Sequence, residues 1–133
     1  MLQDMFGGKI KADFLDGLQR FGKEYNEPSS NVQIRITFGG TEDKPLAYEV
    51  CIGFKPKKEV SYKQIMDIKM DLLGQEQMVG GVILQSLFKQ CELLTIAPEN
   101  ASAFLMDVKG QVIVAVYDGF KHKKVCTVEE LLS

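Results

Sequence analysis

The chain holds a single imidazole, His122, so general-base chemistry near neutral pH has one candidate. It stands in the run Lys121-His122-Lys123-Lys124, and Cys126 follows four residues after it. In an extended strand an even separation puts two side chains on one face, which would set a thiol beside the imidazole. No local signature of a nucleophile–base pair surrounds them, and a solvated histidine at a sheet edge is the simpler account. A minimal enzyme using His122 is therefore the third of three functional readings.

Metal chemistry finds carboxylates without histidine or thiol partners. Asp67 and Asp71, one helical turn apart, could offer oxygens to a hard cation, yet Glu59 and Lys63 continue the same row in the favourable ion-pair order of a solvated helix face. The pairs Glu42/Asp43 and Glu129/Glu130 fit a hairpin loop and the first turn of a helix, where acidic residues have structural roles. Gly7-Gly8, Gly39-Gly40 and Gly80-Gly81 build none of the phosphate-cradling glycine patterns. The sequence predicts no metal and no cofactor.

Binding chemistry is better represented. Lys55-Pro56-Lys57-Lys58 follows one strand and Lys121-His122-Lys123-Lys124 opens another. If those strand ends are neighbours, Lys55, Lys57, Lys58, Lys121, His122, Lys123 and Lys124 form one cationic surface for an anionic small molecule, a nucleic acid or an acidic protein. Lysines and a proline also protect sheet edges from unwanted pairing, and no exposed aromatics are interleaved for base stacking. The second candidate is apolar: Leu2, Met5 and Phe6 precede Gly7-Gly8, which predicts a flexible interaction arm over residues 1–8. Met66, Met70, Met78 and Met106 add side chains that adapt to irregular contacts.

These residues must be carried by one compact domain, expected over 9–133, since 133 residues with 45% hydrophobic and 26% charged content suit a single core. A net charge of −2 gives the whole molecule no long-range pull toward a polyanion. Cys51, Cys91 and Cys126 are odd in number and far apart, as expected of reduced thiols in the cytoplasm. The longest clean apolar run, Val112 to Tyr117, falls well short of a membrane-spanning helix, so no membrane partner is expected.

Ile10, Phe14, Leu18, Phe21 and Tyr25 recur at helical spacing, and Pro28-Ser29-Ser30 stops that helix. Val32, Ile34, Ile36 and Phe38 alternate as one strand; Leu46, Tyr48, Val50, Ile52 and Phe54 alternate as the next. The other face of this hairpin carries Arg35, Glu49 and Cys51 and should be wet or polar-covered. Ser61-x-x-Gln64 is a capping box for a long or broken central helix that reaches about Gln90, with Gly74 and Gly80-Gly81 inside it. A meander follows: Leu93–Ala97, Ala103–Val108, Gln111–Tyr117 and Phe120–Cys126, with turns at Pro98–Asn100, Lys109-Gly110 and Asp118-Gly119. Val112–Val116, apolar on both sides, reads as an interior strand covered on both faces. Thr127-x-x-Glu130 caps a short final helix.

The expected fold is therefore α+β, a mainly antiparallel sheet of about five strands covered by an N-terminal, a central and a short C-terminal helix, with no internal repeat. The leading functional expectation is a non-enzymatic protein–protein interaction module in the cytoplasm, self-associating as a homodimer. Its role would be that of an adaptor, a chaperone-like protein or a small inhibitor of the kind phages and mobile elements encode. Binding of an anionic small molecule or nucleic acid through the lysines is the alternative.

Overall fold

The computed structural model describes residues 2–41, 44–61, 64–65, 83 and 85–132. Helix α1 (Leu2–Glu24) leads through a 3-10 turn (Ser29–Asn31) into strands β1 (Val32–Thr41), β2 (Lys44–Ile52) and β3 (Lys55–Val60). Helix α2 (85–93) leads through a second 3-10 turn (Pro98–Asn100) into β4 (Ala101–Val108), β5 (Gln111–Asp118) and β6 (Lys121–Thr127), and helix α3 (Val128–Leu132) closes the chain. The six strands form one antiparallel sheet in the order β3-β2-β1-β4-β5-β6.

The α+β class is as expected, but the sheet has six strands rather than five. The strand hidden from the sequence pattern is β3, Lys-Pro-Lys-Lys-Glu-Val, an edge strand whose charged residues show no apolar alternation. The strand expected at Leu93–Ala97 is instead the end of α2 and its cap. Thr95 takes a left-handed φ of 57°, and the Ile96 amide donates to the Cys91 carbonyl at 2.8 Å. The apolar residues there dock a helix end rather than line a strand. Residues 2–8, expected as a flexible arm, are helical, with Gly7-Gly8 inside α1. Paired glycines lower helix propensity by roughly 1 kcal/mol each without forbidding the helix. The side chains of Leu2, Met5 and Phe6 lie outside the described residues, as do Glu42, Asp43, Lys63, Met66, Asp67, Met70, Asp71, Gly74, Met78 and Gly80-Gly81. Glu59 lies on β3, so the expected charged row does not belong to one helix face.

The core sits on one side of the sheet. Val32, Ile34, Ile36 and Phe38 of β1, Val50 of β2, Ala103 and Leu105 of β4 and Val112, Val114 and Val116 of β5 are buried there against Ile10, Phe14, Leu18 and Phe21 of α1. Ile83, Leu87 and Cys91 with α2, and Val128, Leu131 and Leu132 of α3, complete the same cluster. Gly17 lets α1 approach Ile65: a Cβ there would lie 3.1 Å from the Ile65 carbonyl oxygen. Arg20 fixes that approach by donating to the carbonyls of Gln64 and Ile65 while pairing with Asp16 at 2.7 Å.

Both capping boxes form as the spacing predicts. The Gln64 amide donates to Ser61 Oγ at 3.1 Å and the Ser61 amide to Gln64 Oε1 at 2.8 Å. Glu130 and Thr127 repeat this reciprocal pair, each bond at 3.1 Å.

Contrary to the expectation of no internal repeat, a structural repeat organises the whole sheet. Each half runs helix, left-handed cap residue, 3-10 turn and three-stranded meander. Asn26 and Thr95 share a φ of 57°, and the Gly53 and Gly119 amides donate to the Asn31 and Asn100 carbonyls at 2.9 and 2.8 Å. Strand partners correspond throughout: Arg35↔Glu49 with Phe104↔Ala115, Thr37↔Ala47 with Met106↔Ile113, and Glu49↔Glu59 with Ala115↔Val125. The register shift at Val50/Cys51 recurs at Val116/Tyr117. After it come Gly53-Phe54-Lys55-Pro56-Lys57-Lys58 and Gly119-Phe120-Lys121-His122-Lys123-Lys124, which differ at one position. Because Arg35 faces Phe104 across β1–β4 and Gln33↔Met106 mirrors Thr37↔Ser102, a local two-fold axis passes between Arg35 and Phe104.

Removing the Thr127 hydroxyl in Thr127→Ala should lower stability by about 1 kcal/mol, read from the midpoint of chemical denaturation. The Thr127 backbone amide, and then its hydroxyl, hold the Glu130 carboxyl below its usual range. Its contribution is therefore present above the unfolded carboxyl's pKa and is lost as pH falls through the lower folded value. Glu130→Gln should flatten this part of the acid limb of the stability profile; an unaltered limb would show that the cap does not form.

Candidate functional site

The two lysine clusters lie on opposite edges of the sheet. β3 and β6 are its outermost strands, and five strand spacings set them about 24 Å apart. Their side chains also divide. Lys58 binds the Glu24 carboxylate at 2.8 Å and lies 5.3 Å from the Phe21 ring centre, while Lys124 donates to Gln90 Oε1 at 3.0 Å. Each of these lysines fastens an edge strand to the helix of its own half. Lys55, Lys57, Lys121, His122 and Lys123 are exposed, in two separate groups. The seven residues therefore build no common surface, and a duplicated hairpin explains why the sequence shows two such runs.

His122 and Cys126 do not share a face. The register shift at Val116/Tyr117 leaves Lys123 as the extra residue, so His122 pairs with Tyr117 on the open side while Cys126 pairs with Val114 over the core. The expected even-spacing rule fails because a bulge inverts the alternation. Cys126 is buried, and burial above all pushes its thiol pKa up, away from the nucleophilic thiolate. Among the described residues no group of three His, Cys, Asp or Glu could hold a metal ion. No helix among them is long and apolar enough to cross a membrane.

The informative surface is the sheet face opposite the described helices. In the first half it carries Gln33, Arg35, Thr37, Ala47, Glu49, Cys51 and Glu59. The corresponding positions of the second half carry Ser102, Phe104, Met106, Ile113, Ala115, Tyr117 and Val125. Arg35 has become Phe104, Thr37 Met106, Glu49 Ala115 and Glu59 Val125. On the core side the same comparison is conservative: Ile36 with Leu105, Val50 with Val116, Val60 with Cys126. At four of the open-face positions a polar or charged residue of the first half corresponds to an apolar one in the second; of the second-half residues Ala115 is buried, Phe104, Met106, Ile113 and Tyr117 are half-buried, and Val125 is 51% exposed.

The expectation that Val112–Val116 is covered on both faces is corrected here. Val112, Val114 and Val116 are fully buried on the core side of this interior strand, and on its other side Ala115 is buried as well, while Ile113 and, beyond the span, Tyr117 are partly exposed. The signal for this surface was the two-sided apolar character of β5, which fits a solvent-facing contact surface as well as an internal layer.

Aromatic rings cross the open face diagonally. Phe54 stands edge-on to Phe104 at 5.3 Å, Phe104 edge-on to Tyr117 at 5.7 Å, and Tyr117 lies 5.4 Å from His122. Interleaved aromatics, absent from the linear pattern, are assembled by three strands and a turn. Phe54 has a φ of 65°, unusual for a bulky residue, and its amide is held by Oε1 of the buried Gln33 at 2.7 Å. Arg35 closes the row at the local two-fold axis, its guanidinium 5.9 Å from the Phe104 centroid and its buried Nε without a hydrogen-bond partner among the described residues. At the far hairpin Phe120, the counterpart of Phe54, is fully exposed.

No family model matches the chain, and neither a curated protein nor a solved structure matches it. Its chemistry must be read from the geometry. The Cys51 thiol, on the open face beneath this surface layer, is pushed up to about 11, first by burial and then by Glu49, with Arg35 opposing. The folded state therefore keeps a proton that the unfolded thiol loses near 9, so this contribution to stability is present below that pH and is lost as pH rises toward about 11. The stability difference between wild type and Cys51→Ala should shrink across that interval, as followed by denaturant titration. A pH-independent difference would mean that the thiol is not buried as described.

Proposed function

We propose that this protein is a non-enzymatic protein–protein interaction module that docks its partner on the open face of β4, β5 and β6. The observation that carries the reading is the contrast between the halves. Two copies of one backbone pattern lie side by side, and on one of them Arg, Thr, Glu and Glu are replaced by Phe104, Met106, Ala115 and Val125. Three strand spacings by eight residues give this surface a projected area of about 400 Å², the size of the largest apolar patch on an ordinary monomer, which is often functional. A polar border of Gln33, Arg35 and Glu49 adjoins it on the first half. Adaptor, chaperone-like and inhibitor roles all use such a surface; the chemistry they share is apolar burial with a polar rim.

The test restores the first half's residues on the second. Met106→Thr and Val125→Glu install what Thr37 and Glu59 already are at corresponding positions, so the fold has a precedent for both. In affinity capture from the native host, proteins bound by this face should stay bound at high salt and be lost to the double variant. Capture that high salt abolishes, or that the double variant leaves unchanged, would overturn the reading.

A further inference from the structure

We infer that the Gly53-Phe54 turn is a two-state lid on Phe104, latched by Gln33, and that a partner taking the open face opens it. This rests on the reading above and adds its regulation. Both states are present in one chain, because the two halves close their outer hairpins with the same loop. Ile52↔Lys55 and Asp118↔Lys121 each enclose two residues, Gly53-Phe54 and Gly119-Phe120. Gly53 and Gly119 have left-handed φ values of 55° and 61°, and the loops diverge at the second residue. Phe54 is left-handed at 65°, the pattern of a type I′ turn; Phe120 is not, which is the pattern of type II′. Phe54 rests edge-on against Phe104 at 5.3 Å, whereas Phe120 stands fully exposed.

The two turn types differ by a flip of the peptide between the loop residues, a change that leaves the flanking strand pairs in place. Gly-Phe is a type II′ sequence. That turn asks for glycine first and accepts a side chain second, whereas type I′ also sets the second residue left-handed, where a bulky side chain is strained. The second half adopts the turn its sequence prefers. The first half does not, and the cause is the buried Gln33, whose Oε1 accepts the Phe54 amide at 2.7 Å. A flip turns that N–H away, so the bond exists only in the strained state. Gln33 corresponds to Ser102, whose shorter side chain leaves its own loop unlatched. In the closed turn one strained residue is set against one hydrogen bond and one ring contact, effects of the same order, so the margin holding it is small. Opening uncovers part of Phe104 and turns Phe54 outward, as Phe120 already stands. A partner that packs on Phe104 gains this contact only in the open state, and that differential affinity is what shifts the turn.

Nuclear magnetic resonance of the free protein tests the latch. Wild type should show cross-relaxation between the ring protons of Phe54 and Phe104. Gln33→Met, which keeps the volume but offers no oxygen to the Phe54 amide, should lose it. So should Gln33→Ser, which installs the residue that the second half carries at the corresponding position. Anilinonaphthalene sulfonate, a dye for exposed apolar surface, should fluoresce more strongly with either variant than with wild type. Because the closed turn is the major form, unlatching should tighten the capture of host proteins at least about twofold. A ring contact that survives both substitutions overturns the latch. One that is lost with no gain in dye fluorescence or in capture overturns the lid. The interaction reading is judged separately by Met106→Thr/Val125→Glu: if that variant loses captured proteins while Gln33→Met gains none, the lid falls and the docking surface stands. If it too leaves capture unchanged, both fall.

Discussion

The structure depends on the pairing of β1 with β4. These strands begin the two meanders, and their antiparallel ladder, centred between Arg35 and Phe104, fuses two three-stranded sheets into one of six. An antiparallel pair of corresponding strands has a two-fold axis by construction, so the relation between the halves follows from this contact. The same contact makes the core continuous. Ile34 and Ile36 stand beside Leu105 and Ala103, and helices from both ends of the chain cover that seam. α1 packs against α3, and Lys11 approaches Glu129 at 4.0 Å, so the first and last elements close over one side of the sheet.

Covering one side leaves the other to answer to different constraints. In the first half the open face is mostly polar, with Gln33 and Cys51 buried within it. In the second half the same positions are apolar, and their neighbours are aromatic rings in edge-to-face contact. A single chain therefore contains a polar and an apolar version of one sheet face. The lysine hairpins play a different part. They terminate the sheet at both edges, and one lysine of each reaches back to the adjacent helix, at Glu24 or Gln90.

Local elements were legible wherever one physical signal set them. Four-and-three spacing gave the α1 core stripe of Ile10, Phe14, Leu18 and Phe21, strict alternation gave β1, and reciprocal side-chain bonding gave both capping boxes. The misses have equally local causes. β3 escaped because an edge strand rich in lysine has no apolar period, and residues 93–97 misled because a helix cap uses the same apolar residues as a short strand. The bulge at Lys123 placed His122 and Cys126 on opposite sides, an inversion that side-chain type does not encode.

The sequence by itself determined the α+β class, the core faces of most elements and the presence of two similar basic runs. Periodicity and capping chemistry act over a few residues, and their residue types are enough to specify them. Tertiary structure decided that those runs occupy corresponding hairpins at opposite edges, because strand order and register are not written in the runs themselves. It also decided the candidate site. Phe54, Phe104, Tyr117 and His122 belong to a turn and three strands, and they become one row only when the register shared by β1, β4, β5 and β6 brings them together. The two-sided apolar strand Val112–Val116 was visible from the start; that one of its sides faces outward follows from all the described helices packing on the other.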